Sequence, residues 1–533
     1  MKTWQDEERT QRAMKSKDIV AGLDIGTTGV KALIVDRSGK VLGLGYREYP
    51  CLFPYPGWME QDVTVMWPEV CAALRAAMAA SGVKPEAIAS LGLSSQRGTF
   101  IPVDREIKPL MNSVVHSDMR AGAEVEWIKA NIGPERYAAI TGATPTAIWA
   151  YPKIKWLIDH QPALFDRVHL LLNGQEYFLR LLGAEELTTD PASRTLDGLM
   201  EVDTLDWSRE LCQRIGLPLE KLPRIGAPAR QVGTLSASAA EATGLAPGTP
   251  LAIGAGDQQC AAVGAGIIRE GMAEITIGTS MVMVAHIDSR KSDPGRQVLI
   301  GGSGIPGKWD MEGLYATAGS SLKWWRDIYG QPERAAADSL GMDVYDLITL
   351  EASQSPPGAK GYFYLPYLYG ILTPHYHDFA RGVNLGQSLF HDRKDMARGV
   401  LEGVTLAVKM SVAAMEQVLG RPFDVLRLTG GGAKSAVWNQ IQADIYNRRV
   451  ETLAEGECTA LGAAILGAVG CGVFASVEEG VAAMVHPSAH LEPDPSRAAL
   501  HAEQYEIFIE AVRLMIGSGL YEKVARFQSR HWG

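Results

Sequence analysis

Two stretches of this chain, about 250 residues apart, repeat one pattern: an apolar run, a turn of glycines and hydroxyls, and a second apolar run. The first, residues 19–35, passes through Asp24-Ile25-Gly26-Thr27-Thr28-Gly29 and on to Lys31. The second, residues 273–287, passes through Ile277-Gly278-Thr279-Ser280. Short apolar runs bounded by such turns predict paired strands. A chain that carries the unit twice is constrained towards two related domains facing each other. Gly26 and Gly29 let the backbone approach a ligand closely. Free N–H groups with the Thr27 and Thr28 hydroxyls suit phosphate oxygens. Asp24, at the mouth of the turn, is placed to hold a metal ion on those phosphates, directly or through water. Alone, the stretch also reads as an ordinary hairpin with an acidic tip, so the rest of the chain decides.

With 533 residues the chain is too long for one core. A net charge of −10 and a pI near 5.7 argue against nucleic acid or an anionic membrane as main partner. Six scattered cysteines without a CxxC pair fit a reduced, cytoplasmic protein lacking a disulfide frame or structural zinc. Residues 1–17 mix acids and bases without an apolar core, which predicts a disordered leader rather than a signal peptide. No apolar run looks long and charge-free enough to span a bilayer. The alanine- and glycine-rich stretch at 459–473 is too short for that, and its small residues suit close helix packing.

Strands and helices alternate along the chain, which makes it α/β. An apolar strand at 88–93 runs into the polar loop Ser94-Ser95-Gln96-Arg97-Gly98, and ligands sit at such strand ends. A second polar loop holds His116-Ser117-Asp118-Met119-Arg120. A third strand ends in Gly254-Ala255-Gly256-Asp257-Gln258-Gln259, followed by small residues at helical spacing. Later come a long helix at 393–419, a buried strand at 425–429 and the turn Gly430-Gly431-Gly432-Ala433. Helices at 435–446, 459–469 and 498–516 follow, and the last residues look loosely attached.

There is no GxxxxGK[ST], no GxGxxG opening a helix after the first strand, no GxSxG elbow and no HExxH. Instead four glycine-rich turns, at 26–29, 254–256, 278–280 and 430–432, each lie at a strand end, and two carry an aspartate. Together they make sense as two domains clamping a polyphosphate. The segments at 24–29, 278–280 and 430–433 resemble the phosphate and adenosine motifs of the actin/hexokinase/Hsp70 superfamily. Gly256-Asp257-Gln258-Gln259, Lys153-Ile154-Lys155-Trp156-Leu157, Gly319-Ser320-Ser321-Leu322-Lys323-Trp324 and 428–435 narrow the resemblance to the FGGY carbohydrate kinases, over about residues 18–510.

The resemblance implies two RNase H-like, actin-type ATPase domains with a cleft between them: 18–266 for the sugar and first phosphate loop, 267–516 for the nucleotide, and a tail at 517–533. It implies ATP, Mg2+, phosphoryl transfer to a hydroxyl of a small sugar or polyol, and a possible homodimer. Asp257 matches the catalytic base, and Asp24 and Asp257 the carboxylates near the metal. Gly26, Thr27, Thr28 and Lys31 fall at the first phosphate loop, and Gly278 and Thr279 at the second. Gly319, Lys323, Gly431, Gly432 and Ala433 fall at the nucleotide. Gln96, Arg97, His116, Asp118, Asp257 and Gln258 are expected at the substrate. Gln96-Arg97 is similar to the glycerol kinases, which follow the arginine with glutamate where this chain has Gly98, leaving space for more than three carbons. Residues 56–62 and the chain length look closer to the xylulose and autoinducer-2 kinases. A ketopentose such as xylulose is the expected substrate, with autoinducer-2 or a glycerol-like polyol as alternatives. The rival from another class is an actin- or Hsp70-like ATPase acting on a protein partner.

Overall fold

A computed structural model describes residues 18–532; the expected leader, 1–17, lies outside them. Six strands form the first sheet: β1 (Ile19–Ile25), β2 (Gly29–Asp36), β3 (Val41–Glu48), β4 (Ile88–Ser95), β5 (Arg230–Thr234) and β6 (Pro250–Gly256), in the order β5-β6-β4-β1-β2-β3. Seven strands form the second: β7 (Met272–Ile277), β8 (Met281–Ile287), β9 (Leu299–Gly302), β10 (Trp309–Tyr315), β11 (Val425–Thr429), β12 (Val450–Leu453) and β13 (Pro487–Leu491). Their order is β9-β10-β8-β7-β11-β12-β13. Both repeated units are antiparallel hairpins, and each sits beside a parallel strand, β4 in one sheet and β11 in the other. The internal repeat is therefore one of topology as well as sequence.

Register decides which loops meet. Ile25 of β1 lies beside Ser95 of β4, and Ser95 lies beside Gly256 of β6. The loops after these strands, carrying Gly26, Gln96 and Asp257, thus leave one edge of the first sheet side by side. In the second sheet Thr276 pairs with Thr429, which brings the turns starting at Gly278 and Gly430 together.

Helix α1 (Val63–Ser81) buries Met66, Val70, Leu74 and Ala77 against one face of the first sheet. Contrary to the sequence expectation, α1 is long and apolar enough to cross a membrane by length and composition. Its apolar face is spent on the core instead. Three more helices frame the site: α2 (Asp257–Gly264), α3 (Gly319–Tyr329) and α4 (Arg393–Leu419), the last packing Leu401, Val404 and Met415 into the second core. Helix α5 (Cys458–Gly470), from the second half of the chain, crosses onto the first sheet. It approaches so closely that a Cβ at Gly22 or Gly92 would sit 1.9 Å from the carbonyl oxygen of Ala460 or Ala463. Small residues on both partners allow this, as the composition of 459–473 predicts. The final residues, expected to be loose, form α6 (Leu520–Trp532), anchored by buried Tyr521 and a bond between Glu522 and His377.

Candidate active site

Asp257 begins α2, where the helix dipole favours a carboxylate. Its Oδ1 accepts from the Gln258 N–H at 2.9 Å and from Arg97 Nε at 3.0 Å. Oδ2 is left for a further partner, and the side chain is 27% exposed. Arg97 itself is buried, and its two terminal nitrogens donate to Glu312 at 2.7 and 2.8 Å. Gln259 Nε2 also donates to Glu312, at 2.9 Å. Glu312 lies on β10 of the second sheet, so this group joins the two halves of the molecule.

Sequence reasoning missed Glu312. Its strand reads Trp-Asp-Met-Glu-Gly-Leu-Tyr; Asp310 and Glu312 fall on the face opposite the apolar one and read as solvent-facing, yet both are buried. The one available signal was the alternation of Trp309, Met311, Gly313 and Tyr315.

A cavity of about 230 Å³ opens beside Arg97, Asp257, Gln258 and His116, and its other wall includes Ser280 and Leu314 from the second sheet. Burial, helped by the nearby Lys153 charge, pushes the His116 imidazole down to about 4, so it is neutral at pH 7. Lys153 is fully buried and donates to the main-chain carbonyls of Val115, His116 and Ile148 at 2.8 to 3.0 Å. It thereby pins two loops of the cavity wall. Asp118 does not line this cavity. Its carboxylate is buried and accepts from the Met59 N–H and from Arg120, whose guanidinium lies 3.7 Å from the Trp58 ring centre. Gly98 is not on the cavity wall either: a Cβ there would meet His116, Ile148 and Leu196 at 3.2 to 3.3 Å.

Gln96 faces the turn at 26–29 rather than this cavity. It accepts from the Thr27 hydroxyl at 2.8 Å and donates to Gln61 at 2.6 Å, while Gln61 donates to the Thr27 carbonyl at 2.6 Å. Gly26 N–H bonds back to the Gly29 carbonyl at 3.0 Å, and the Tyr49 hydroxyl props the turn from below. Lys31 pairs with Glu457 from the far end of the chain. Asp24 Oδ1 is buried with no hydrogen-bond partner among the described residues. Burial and the charge of Asp257 push its carboxyl up to about 7, against the pull of Lys31.

The second loop is built with Gly319: its N–H donates to the Gly278 carbonyl at 2.9 Å, and a Cβ there would lie 2.2 Å from that oxygen. Gly278, Thr279, Gly319, Lys323, Gly431, Gly432 and Trp438 line a cavity of about 550 Å³ in the second half, large enough for a nucleotide. Ala433 stands just behind it, its carbonyl accepting from Asn439. A further cavity of about 340 Å³ lies elsewhere, near Arg290 and Arg296, whose charges are met by Asp203 and Glu135.

Two sheet-based domains, glycine loops at facing strand ends and a carboxylate at a small cavity define a phosphotransferase of the actin/hexokinase-like fold. The chain belongs to the FGGY family of carbohydrate kinases: residues 19–264 match its N-terminal domain and residues 273–471 its C-terminal domain. It is a sugar or polyol kinase, not an ATPase acting on a protein partner. It is 31% identical over 467 residues to a glycerol kinase of Thermococcus gammatolerans, covering 86% of this chain and 90% of that protein. It is 28% identical to a xylulose kinase of Bacillus subtilis, covering 92% and 95%. Solved structures of a xylulose kinase and a gluconate kinase from Lactobacillus acidophilus share its fold. Each has a TM-score of 0.86 at 23% identity and covers 95% of this chain and 99% of its own.

Proposed function

We propose that the protein transfers the γ-phosphoryl group of ATP to a hydroxyl of a small sugar or polyol, a ketopentose such as xylulose first among them. The observation that carries this reading is Asp257 Oδ2, left free at the cavity while Oδ1 is held by Arg97 and the Gln258 N–H. A carboxylate so oriented can accept the proton of an attacking hydroxyl. The two spare N–H groups of Arg97 can hold a neighbouring hydroxyl. The nucleotide fits the 550 Å³ cavity, with its phosphates directed to the loops at 26–28 and 278–279. Phosphoryl transfer asks mainly for such positioning and for charge neutralisation.

Mg2+ fits the residues present. The unpartnered, buried Asp24 Oδ1, with a carboxyl raised by burial, is the kind of group a cation would satisfy. No group of three or more metal-ligating side chains occurs among the described residues. This suits an ion held by one or two carboxylates and the phosphates themselves. Asp24 would hold it, with Asp257 nearby; when bound, it supplies neutralisation of phosphate charge. A cytoplasmic setting, with its supply of ATP, goes with this reading.

The test is a panel of glycerol, tetritols, ketopentoses, hexitols and autoinducer-2, read by phosphorylated product rather than by loss of ATP. A ketopentose should give the highest kcat/KM. A clear preference for glycerol would favour the glycerol kinase alternative, for which Gln96-Arg97 is the supporting feature.

A further inference from the structure

We propose that Glu312 sets the charge of the acceptor cavity and makes this enzyme select an uncharged polyhydroxy acceptor over the corresponding carboxylic acid. The inference rests on the acceptor reading above and goes on to name the class of acceptor. The fold itself does not decide the matter, since structures of this shape include a xylulose kinase and a gluconate kinase.

The charges around the cavity do decide it. Arg97 is the one arginine or lysine among the described residues lining the cavity. Two carboxylates face its guanidinium, Asp257 through Nε and Glu312 through both terminal nitrogens. Of its five N–H groups, three are thus committed to anions and two are free. His116 is held neutral by its burial. The Lys153 ammonium, just behind the wall, gives all three of its hydrogens to main-chain carbonyls. The remaining polar groups of the lining, Gln258, Ser280 and Tyr315, carry no charge, and Ile148, Leu196, Met281 and Leu372 are among its apolar residues.

A carboxylate entering this space would face Asp257, and the Arg97 charge it could pair with is already offset by Glu312. Lys153, behind the wall, bonds neutral carbonyls, and burial pushes its ammonium down to about 7, which weakens that cation at neutral pH. The Arg97 and Glu312 side chains are each only 1% exposed, so counterions screen this field poorly. A hydroxyl meets no such conflict, because it accepts from the two free Arg97 N–H groups and donates to Asp257 Oδ2. Glu312 touches Arg97 and Gln259 rather than the cavity, so it acts through the arginine as a positioning and specificity residue.

The experiment compares matched neutral and acidic acceptors: xylulose, xylitol and glucitol against xylonate and gluconate, with product quantified for wild type, Glu312→Gln and Glu312→Asp. Wild type should favour the best neutral acceptor over any aldonate by at least about tenfold in kcat/KM, the scale of a mismatched charge at a recognition site. Glu312→Gln keeps the shape but frees the arginine charge, so the neutral-to-acid ratio should fall by at least about tenfold, mainly through KM for the acid. Glu312→Asp should restore the ratio. Equal or better use of aldonates by wild type overturns the proposal, and so does a Gln variant that loses activity on both series in the same proportion. Should that variant not fold, competition on wild type decides: aldonates that inhibit xylulose phosphorylation as strongly as xylitol overturn it. Absence of product from both series would overturn the acceptor reading instead.

Discussion

Glu312 meets Arg97 across the boundary between the two sheets, with carboxylate oxygens 2.7 and 2.8 Å from the two terminal nitrogens. The third guanidinium nitrogen reaches Asp257 at 3.0 Å. A strand of the second sheet therefore fixes the arginine of the first beside the carboxylate proposed as base. An arginine free to swing would not hold Asp257 Oδ1 and present its spare hydrogens at the same time.

Structural and substrate roles of Arg97 separate in a pair of variants. Arg97→Ala leaves Glu312 buried and unpaired, which costs about 3–5 kcal/mol at such sites. It also removes a partner of the substrate hydroxyl, worth about 1–3 kcal/mol in apparent binding. The double change Arg97→Leu with Glu312→Leu removes the unpaired charge, so its unfolding midpoint should recover most of the loss while KM stays high. Thermal unfolding and initial rates on the best acceptor read the two quantities separately. A double variant with wild-type KM would mean that Arg97 does not touch the acceptor.

Asp257→Asn keeps the side-chain shape and the contact with Arg97 but cannot take a proton. Loss of a general base lowers rate by roughly 100-fold or more, so kcat should fall on that scale. ATP affinity, measured by calorimetric titration, should change little. A kcat near wild type would remove Asp257 from the chemistry.

Glu274 supplies a pH signature away from the transfer site. Its carboxyl is 1% exposed and accepts from the Thr276 and Thr429 hydroxyls. Burial raises it to about 7, an effect those hydroxyls only partly offset. Between the ordinary carboxylate range near 4.5 and this value, the folded chain keeps a proton that the unfolded chain has lost. Stability from this group therefore falls as pH rises from 4.5 to 7, and the full penalty is present above 7. Glu274→Gln should raise the unfolding midpoint at pH 8 by roughly a few degrees and leave it unchanged near pH 4.5. An equal effect at both pH values would rule out titration of Glu274 as the cause.

The parts legible in the sequence were those whose chemistry is contiguous. Asp24 to Gly29 carries its strand ends, glycines and hydroxyls within six residues, and the helix at 393–419 has its capping aspartate and closing glycine next to its ends. What depends on register was not legible: nothing local says that Gln96 turns to Thr27 while Arg97 turns to Asp257. Asp118 looked like a ligand because its loop is polar, yet it is bound by Arg120 two residues on and by Met59, which, like the Trp58 ring under the arginine, reaches it only in the folded chain. Glu312 hid because it sits at an alternate position of its strand that reads as solvent-facing, and only the second sheet's meeting with Arg97 buries it. Helix α1 shows the converse, an apolar run whose reason is a sheet to cover rather than a bilayer.

Gly98, read from sequence as leaving acceptor space where glycerol kinases carry glutamate, would on that reading turn towards glycerol in a Gly98→Glu variant. The structure changes that expectation. Gly98 has φ of 63°, the left-handed region, which costs another residue roughly 1–2 kcal/mol. A Cβ would also press on the His116 Cβ at 3.2 Å and on the carbonyls of Ile148 and Leu196 at 3.3 Å. The Ile148 carbonyl is one that Lys153 holds, so this neighbour cannot easily give way. Gly98→Glu should therefore lower the unfolding midpoint and reduce kcat/KM on every acceptor, glycerol included. Gly98→Ala should show the same direction with a smaller loss. Purified Gly98→Glu with a wild-type midpoint and improved glycerol turnover would show that the loop yields more readily than its contacts imply.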